Sequence, residues 1–428
     1  MTEVKNVLVI PAGTEIALEI NNALRYSKFV KLFGATSVPC HAEFVYENCA
    51  EGVPYPEAPD FAEKVNEIVD RFDIDYIYPA HDSVLLALTL LQDRLKAKVV
   101  TSAVETVEIT RSKNKTYEFL KGASYLPRTY NSADEVESFP VFIKPAVGQG
   151  SQGVRRIDSG KALAEALTDG VEYAICEYLP GEEFTVDCFT DKNGALRIAS
   201  PRSRARIRAG ISVRSERMEC DDKIRAIAED INRRVSFTGA WFFQLKRNAR
   251  GEYRLMEIAP RIAGTMSVTR NSGVNMPMLT LFTLMGFDVD IIDNGNDILL
   301  DRAFISRFKT DIEYSNVYVD FDDTVTVNGR VNGYLMMYLY QVRDRGKKLF
   351  LLTKHAKDIC DSLDKYAISP KLFEEIIHIP KTNEKSDYIK GDSIFIDDSF
   401  AERLRVHKKC GIPVFDLDMV ESLIDWRV

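Results

Sequence analysis

Clustered cysteines and histidines are absent from this sequence. Its seven cysteines are scattered, odd in number and form no CxxC pair, and its five histidines form no HExxH motif. We therefore expect reduced thiols, with no disulfide framework and no zinc cluster, as is typical of a cytoplasmic protein. The N-terminus has one short apolar run and then a turn, without the apolar core and small-residue cleavage site of a secretory signal.

Long apolar runs and an excess of positive charge are also missing. The longest apolar-leaning stretch, residues 276–287, is interrupted by Pro277 and Gly286, and a bilayer requires about 20 apolar residues. The 56 Lys and Arg against 64 Asp and Glu give a net charge of −8. We therefore expect neither a membrane nor a nucleic acid as the main partner.

The order of apolar and polar segments predicts three regions in the 428 residues. Residues 1–100 contain an apolar strand at 6–10, a helical spacing of apolar residues at 61–72 and a strand at 76–79, which indicates a small α/β domain. Residues 101–310 are richer in glycine turns and alternating strands. After a polar connection at 311–316, a further α/β pattern extends to the end. The expected fold class is a multidomain protein with α/β and α+β parts.

A glycine-rich segment between two predicted strands is the first candidate site. Gly148, Gly150 and Gly153 follow a strand that ends near Lys144 and precede a short β-branched segment. The order of strand, glycine turn and strand differs from a Rossmann or Walker A loop. Glycine lets backbone N–H groups approach phosphate oxygens, and Lys144 can supply a positive charge beside them. An ordinary flexible hairpin with an exposed lysine is the alternative interpretation.

Two short predicted strands further along carry Gln244 and Glu257. Oxygen ligands on adjacent strands suit Mg²⁺, which prefers a few protein oxygens together with nucleotide phosphates. With these features in this order, residues 1–310 resemble the ATP-grasp superfamily, and within it the carbamoyl-phosphate-synthase-like and carboxylate–amine ligase branch. The resemblance implies a Rossmann-like pre-ATP-grasp domain over 1–100 and an ATP-grasp fold over 101–310, with a glycine-loop subdomain at about 115–180. It also implies ATP and Mg²⁺ as cofactors.

The resemblance further implies roles for single residues. The implied nucleotide-binding residues are Lys115 and Lys144 at the phosphates, Glu177, Tyr178 and Leu179 at adenine, and Glu183 at ribose. The implied metal ligands are Gln244 and Glu257, and the implied residue at the transferring phosphate is Arg261. The sequence departs from the family at Ala259, where an asparagine ligand is typical, and at Gln244, where an acid is common. We therefore expect fewer charged metal ligands than in a typical member.

Four arginines alternate along residues 201–217. They are Arg202, Arg204, Arg206 and Arg208. On one strand they would share a face, and like charges stacked in this way need an anion or carboxylates opposite them. One interpretation is a clamp on a carboxylate or phosphate substrate, with Ser212 near a turn of backbone donors. In similar ligases this segment faces the acceptor. The other interpretation is a solvated face paired with acids.

Three predicted strands in the last region each end in polar residues. The residues concerned are Asp320 and Asp322 after the first strand, Thr353 at the end of the second, and Asp397 and Asp398 after the third, with Lys385 upstream. Ligands of α/β folds bind at the carboxyl ends of strands, so we expect these side chains to meet. Residues 313–428 resemble the haloacid dehalogenase (HAD) phosphatase superfamily, which implies a HAD-like Rossmannoid domain.

This second resemblance implies Asp320 as the nucleophile that forms an aspartyl phosphate and Asp322 as the general acid and base. Thr353 would hydrogen-bond the phosphoryl oxygens, and Lys385 would steady the nucleophile. Two further lysines are rivals for that role, namely Lys381 and Lys390. The implied Mg²⁺ ligands are Asp320, Asp322 and Asp397, with Asp398 assisting. The short intervals between motifs predict no large cap over the phosphatase site.

Together the two resemblances predict a cytoplasmic enzyme with two activities. An ATP-dependent ligase would join a carboxylate to an amine through an acyl phosphate, and a Mg²⁺-dependent phosphatase would act on a related phosphorylated metabolite. Two alternatives stay open: a regulatory domain that binds nucleotide without turnover beside an active phosphatase, or an enzyme that handles carboxyphosphate or carbamate. The sequence leaves a homo-oligomer open.

Overall fold

The computed structural model describes residues 3–150, 152–208 and 210–427. The chain divides into two compact units, of which the first ends at Phe304 and the second begins at Ile305. This division lies a few residues before the predicted boundary at 310–313, because the segment after residue 301 has no regular structure until residue 316. No helix within the described ranges is both long and apolar enough to cross a membrane.

The first hundred residues form a five-stranded parallel sheet in the order β3-β2-β1-β4-β5. Its elements are β1 (Lys5–Ile10), α1 (Glu15–Leu24), β2 (Val30–Ala35), β3 (Cys49–Ala50), α2 (Phe61–Phe72), β4 (Tyr76–Pro79), α3 (Asp82–Leu90) and β5 (Lys98–Val99). The side chains of β1 alternate between two cores, so that Val7 and Val9 pack on one face and Leu8 and Ile10 on the other. Burial of both faces explains the continuous apolar run of this strand.

The next segment is a small antiparallel sheet in the order β6-β9-β7-β8. Its elements are α4 (Val104–Arg111), α5 (Lys113–Phe119), β6 (Thr129–Tyr130), β7 (Val141–Pro145), β8 (Arg155–Ile157), α6 (Gly160–Ala166) and β9 (Tyr173–Glu177). Val141 pairs with Ile157, so β7 and β8 form a hairpin with the glycine loop at its tip. The predicted order of strand, glycine turn and strand is present. Ser151, within this loop, lies outside the described residues.

The rest of the first unit is built on an antiparallel sheet in the order β11-β10-β14-β15 and a smaller sheet in the order β12-β13-β16. The elements are β10 (Glu183–Thr190), β11 (Leu196–Ser203), β12 (Arg206–Arg208), β13 (Ile211–Glu216), α7 (Asp222–Arg234), β14 (Gly239–Arg247), β15 (Tyr253–Ala259), α8 (Ser267–Asn271), α9 (Met276–Leu284) and β16 (Leu299–Asp301). The expectation that the four alternating arginines share one strand is wrong, because the chain leaves β11 after Ser203 and enters β12 in another sheet.

The second unit is a parallel five-stranded sheet in the order β21-β20-β17-β22-β23. Its elements are β17 (Asn316–Val319), β18 (Thr326–Val327), β19 (Arg330–Val331), α10 (Gly333–Asp344), β20 (Lys348–Thr353), α11 (Ile359–Lys365), β21 (Glu375–His378), β22 (Ser393–Ile396), α12 (Phe400–Cys410) and β23 (Val414–Phe415). Central strand β17 lies between β20 and β22, so the ends of these three strands meet at one edge. Between β17 and β20 the described chain holds only the β18–β19 hairpin and α10, without an inserted domain.

Candidate functional site

The first unit contains a cleft made of two adjoining cavities. One, the N-terminal cavity, is bordered by α1, α3 and the sheet of β10 and β14, and includes Asp82 and Arg261. The other, the strand cavity, is bordered by β7 and by the segment that follows β9. The cavities share a wall that includes Lys113, Gln244 and Glu257. Side chains from every predicted segment of the first candidate site therefore border one continuous cleft.

The glycine loop lies at this shared wall. Gly148 and Gly150 border both cavities, and Gly150 adopts a positive φ of 59°. A Cβ on Gly210 would lie 2.2 Å from the backbone of Gly150, so the two chain segments approach as closely as glycine allows. Gly153 borders neither cavity in the described structure. Its φ of 70° indicates that it serves the turn.

Lys144 is 5% exposed and borders the strand cavity. Its Nζ lies 3.6 Å from Sδ of Met256, which is its sole hydrogen-bond contact among the described side chains and backbone. A thioether is a weak acceptor and cannot balance a buried ammonium. Lys144 is therefore a cation beside a cavity with no anion paired to it.

Lys113, and not Lys115, is the lysine of the upstream segment that reaches the cleft. Lys113 borders both cavities, and its Nζ donates to the carbonyls of Pro145 at 3.3 Å and Gly148 at 3.5 Å. Burial lowers the pKa of Lys113, and the nearby Glu257 partly offsets that effect. Lys115 is exposed and borders neither cavity. The predicted placement of Lys115 in the cleft is therefore not seen: α5 begins at Lys113, which faces the cleft, and Lys115 faces away.

The predicted adenine linker borders the strand cavity through Glu177, Tyr178 and Leu179. The backbone N–H of Arg128 donates to Glu177 at 2.9 Å, and Leu179 is buried. Glu183 borders the same cavity and forms ion pairs with Arg204 at 2.7 Å and Lys246 at 3.6 Å. The cavity thus has an apolar side chain and an acid on its wall, and a base and a sugar need both kinds of contact.

Gln244 and Glu257 are directly opposite each other on β14 and β15. Both border both cavities. Glu257 takes part in no ion pair among the described residues, whereas Asp82 and Glu183 on the same walls are paired. One unpaired carboxylate beside an amide oxygen fits a single Mg²⁺ that keeps other ligands from phosphate or water. Ala259 at the end of β15 adds no side-chain ligand.

Arg261 borders the N-terminal cavity but is engaged by Asp82. Its Nε and Nη2 lie 2.5 and 2.7 Å from the two oxygens of that carboxylate. Burial alone would raise the pKa of Asp82, but Arg261 outweighs burial and the pKa lies below its ordinary value. The guanidinium is thus held in a fixed orientation at the cavity wall.

The four alternating arginines have separate partners. Arg202 pairs with Asp187 and Arg204 with Glu183, and both border the N-terminal cavity. Arg206 pairs with Asp301 and Arg208 lies over the ring of Phe304, and neither borders the N-terminal cavity or the strand cavity. The structure therefore brings only half of the predicted clamp to the cleft. Ser212 is buried at the same cavity, with its hydroxyl 2.9 Å from that of Ser215.

The second candidate site lies at the strand edge of the second unit. Nζ of Lys385 is 2.7 Å from Asp320 and 2.6 Å from Asp397, while its rivals Lys381 and Lys390 are exposed. Burial raises the pKa of Asp320, and it raises the pKa of Asp397 to about 6, although Lys385 offsets part of each effect. The two acids outweigh burial at Lys385 and raise its pKa. Burial disfavours the charged forms of Asp320 and Asp397, and a further cation beside them would stabilise those charged forms.

Three carboxylates that could hold a metal ion lie at this edge. Ligand atoms of Asp320, Asp397 and Asp398 lie within 4.8 Å of one another. Three carboxylate oxygens at this spacing fit Mg²⁺. The side chain of Asp322, also predicted as a ligand, is outside this group, because it is half exposed and bonded to His355.

Asp322 is held by a histidine that the sequence analysis did not single out. Nδ1 of His355 lies 2.8 Å from Asp322, and Nε2 of His355 lies 2.7 Å from the hydroxyl of Ser362. The backbone N–H of His355 donates to the hydroxyl of Thr353 at 3.2 Å, which links both residues to the same strand end. In the sequence, the one feature that marks His355 is its position two residues after Thr353, at the end of a predicted strand.

Part of the first unit matches a known protein family. Residues 171–300 match a family model described as ATP-grasp in the biosynthetic pathway with Ter operon. The carbamoyl phosphate synthase large chain of Clostridium beijerinckii is 23% identical over 51% of this chain and 23% of its own length. A D-alanine–D-alanine ligase of Fusobacterium nucleatum is 33% identical over 22% of this chain and 33% of its own length. The chain thus spans a third or less of these two relatives.

A solved structure of biotin carboxylase from Campylobacter jejuni, in a complex with an ATP ligand, is similar in fold. It aligns with a TM-score of 0.57 and 16% identity over 68% of this chain and 72% of its own. At this identity the likeness concerns the fold. The family model and the two sequence relatives support assignment to the ATP-grasp superfamily.

Proposed function

We propose, from the ATP-grasp relationship that these matches support, that the first unit is an ATP- and Mg²⁺-dependent ligase that joins a carboxylate to an amine through an acyl phosphate. The observation that carries this proposal is Lys144, a buried cation in the same cleft as the carboxylate of Glu257, where neither group forms an ion pair with any described residue. A nucleotide polyphosphate with Mg²⁺ satisfies both groups at once.

The chemistry follows from leaving groups. A carboxylate cannot expel oxide when an amine attacks, but transfer of the terminal phosphoryl group of ATP to a carboxylate oxygen gives an acyl phosphate and ADP. The amine nitrogen then attacks the carbonyl carbon, the C–O bond to phosphate breaks, and the amine loses a proton. Phosphoryl transfer requires alignment and charge neutralisation, which cationic side chains provide without a protein nucleophile.

Each part of the cleft has a role in this proposal. Lys113 and Lys144 bind the phosphates beside Gly148 and Gly150, and Arg261 stabilises the transferring phosphoryl group. The segment 177–179 with Glu183 holds adenine and ribose. Glu257, with Gln244, holds Mg²⁺, which neutralises charge on the phosphate oxygens when bound. The Asp82 ion pair keeps Arg261 oriented.

For the second unit we propose a HAD-type, Mg²⁺-dependent phosphomonoesterase. Asp320 attacks the phosphorus atom, the bond to the leaving alkoxide breaks, and Asp322 protonates that oxygen. Asp322 then removes a proton from water, which attacks the aspartyl phosphate and releases inorganic phosphate. Thr353 and Lys385 bind the phosphoryl oxygens, and the three carboxylates Asp320, Asp397 and Asp398 hold Mg²⁺. The support is the contact of Lys385 with two strand-end acids.

The test of the ligase proposal is ADP release from ATP and Mg²⁺ with a panel of carboxylates and amines, with hydroxylamine added to trap acyl phosphate as a hydroxamate. We expect carboxylate-dependent hydroxamate. ADP release that depends on bicarbonate alone would favour carboxyphosphate or carbamate chemistry. Nucleotide binding with no ADP release under any condition would contradict the ligase and support a regulatory nucleotide-binding domain. The observation that favours this alternative is Ala259, which supplies no metal ligand at the end of β15.

A further inference from the structure

Four side chains form one row across the sheet beneath the N-terminal cavity. Arg202 on β11 is directly opposite Thr185 on β10, Thr185 is opposite Gln244 on β14, and Gln244 is opposite Glu257 on β15. All four border the N-terminal cavity. Neighbouring strands are about 4.8 Å apart, so the two ends of the row are separated by about 14 Å. The row joins the proposed metal carboxylate to a buried arginine.

One guanidinium nitrogen of Arg202 has no hydrogen-bond partner among the described residues. Its Nε and Nη2 donate to the two oxygens of Asp187 at 3.0 and 3.2 Å. Its Nη1 is buried and has no hydrogen-bond partner among the described residues. Arg202 is 1% exposed, so bulk water does not satisfy this nitrogen. A buried donor without an acceptor is costly, and a ligand in the adjoining cavity can supply the acceptor.

Thr185 presents a second free donor at the same end of the row. Its hydroxyl is buried and has no hydrogen-bond partner in the described structure. Asp187 already accepts from Nε and Nη2 of Arg202 and from the hydroxyl of Thr269 at 2.8 Å, and it contacts neither free donor. This end of the cavity therefore offers a guanidinium N–H and a hydroxyl, each without a partner among the described residues. A carboxylate accepts from both groups and pairs with the positive charge of the guanidinium, which repels an ammonium group.

We propose that Arg202 and Thr185 bind a carboxylate of the acceptor substrate that is not phosphorylated, which makes the substrate an amino acid or a dicarboxylic acid. The inference rests on the proposed ligase function of this cleft. Because Thr185 is directly opposite Gln244, a carboxylate bound at this end lies one strand spacing, about 4.8 Å, from the strand that carries Gln244. The carboxylate comes either from the amine-bearing substrate or from a second acid group of the activated substrate.

The test is binding by titration calorimetry with the full chain. The probes are the twenty L-amino acids and their C-terminal amides, together with malonate, succinate and glutarate and their monoamides. We expect at least one carboxylate probe to bind and its amide to bind at least about tenfold more weakly. Binding of an amino acid identifies the amine-bearing source, and binding of a dicarboxylate identifies the second acid group. Binding by no carboxylate, or equal binding by the amides, would overturn the inference.

Thr185→Val removes the free hydroxyl and keeps the shape of the side chain. We expect the carboxylate affinity to fall about tenfold. The matched control is Thr283→Val in α9, whose buried hydroxyl also has no partner but lies outside the cavity. Arg202→Lys, which keeps the charge, should weaken binding as well. Unchanged affinity in Thr185→Val would contradict the inference.

ATP turnover is measured in the same preparations. Carboxylate-dependent ADP release with no effect of Thr185→Val would refute the carboxylate site and leave the ligase proposal standing. Carboxylate binding that depends on Thr185, without any ATP turnover, would support the site and refute the ligase.

Discussion

Nζ of Lys385 lies 2.7 Å from Oδ1 of Asp320, although the two residues are far apart in sequence. Asp320 directly follows β17, and Lys385 lies in the chain segment that leads from β21 to β22, the neighbour of β17 in the sheet. Asp397 approaches the same ammonium group at 2.6 Å. A buried cation between two buried acids fixes the carboxylate that we propose as nucleophile.

Asp320→Asn should abolish phosphatase activity. The amide is a poor nucleophile and removes a metal ligand, so we expect a loss on the order of a thousandfold or more in hydrolysis of p-nitrophenyl phosphate. Asp323→Asn is the matched control, because Asp323 is exposed in the same loop and asparagine tolerates its φ of 53°. Comparable rates in Asp320→Asn and the wild type would exclude Asp320 as the nucleophile.

The carboxylate site should make the stability of the second unit depend on pH and metal. The pKa of Asp397 is raised to about 6 in the folded protein and is about 4 when unfolded. Between about pH 4 and pH 6 the folded state therefore binds more protons than the unfolded state. Without metal, the free energy of unfolding of the wild type should fall relative to that of Asp397→Asn as the pH rises through this range, by on the order of 2 kcal/mol.

Mg²⁺ binds the deprotonated carboxylates, so it should raise Tm more at pH 7.5 than at pH 5. Thermal unfolding of the wild type and of Asp397→Asn, each with EDTA or with Mg²⁺, tests the pH dependence and the metal dependence. An equal Mg²⁺ effect at the two pH values in the wild type, or an undiminished one in Asp397→Asn, would argue against this metal site.

His355 should act as a positioning residue for Asp322. The side chain of Asp322 is half exposed and is held by Nδ1 of His355, so we expect His355→Ala to lower kcat about tenfold with a smaller change in KM. His355→Asn keeps a donor and should recover part of the rate. His407→Ala is the control, since His407 bonds to the carbonyl of Ile412. If kcat were the same in His355→Ala as in His407→Ala, this role would be refuted.

Lys113→Ala should weaken ATP binding about tenfold or more, because it removes a partly buried cation from the shared wall of the two cavities. Lys115→Ala is a matched control from the same helix, and its exposed side chain borders neither cavity. Calorimetric titration with ATP and Mg²⁺ measures both. A larger loss in Lys115→Ala than in Lys113→Ala would reverse the assignment made from the structure.

The parts of the fold that were predictable are those with a local signal. The strands at Lys5–Ile10 and Lys348–Thr353 are continuous apolar runs, and α2 repeats its apolar residues at helical spacing. Polar residues after buried strands predicted the meeting of Asp320 and Asp397, since neighbouring parallel strands end at the same edge. The order of the strands themselves was beyond the sequence pattern.

The remaining site residues depend on register and on distant partners. Lys113 and Lys115 are two residues apart, and residues at that spacing on a helix point about 200° apart, so the start of α5 decides which lysine faces the cleft. The arginines looked equivalent in sequence, but Arg202 meets Asp187 within one sheet and Arg206 meets Asp301 in another. Such partners are set by tertiary structure and leave no local pattern.

The central claim is that the chain carries two separate phosphoryl-transfer centres. Its most direct test measures ATP binding and p-nitrophenyl phosphate hydrolysis in Lys144→Ala and Asp320→Asn, with circular dichroism to show that both are folded. We predict that Lys144→Ala loses ATP binding and keeps hydrolysis, and that Asp320→Asn does the reverse. Loss of both properties in either folded variant would contradict the claim.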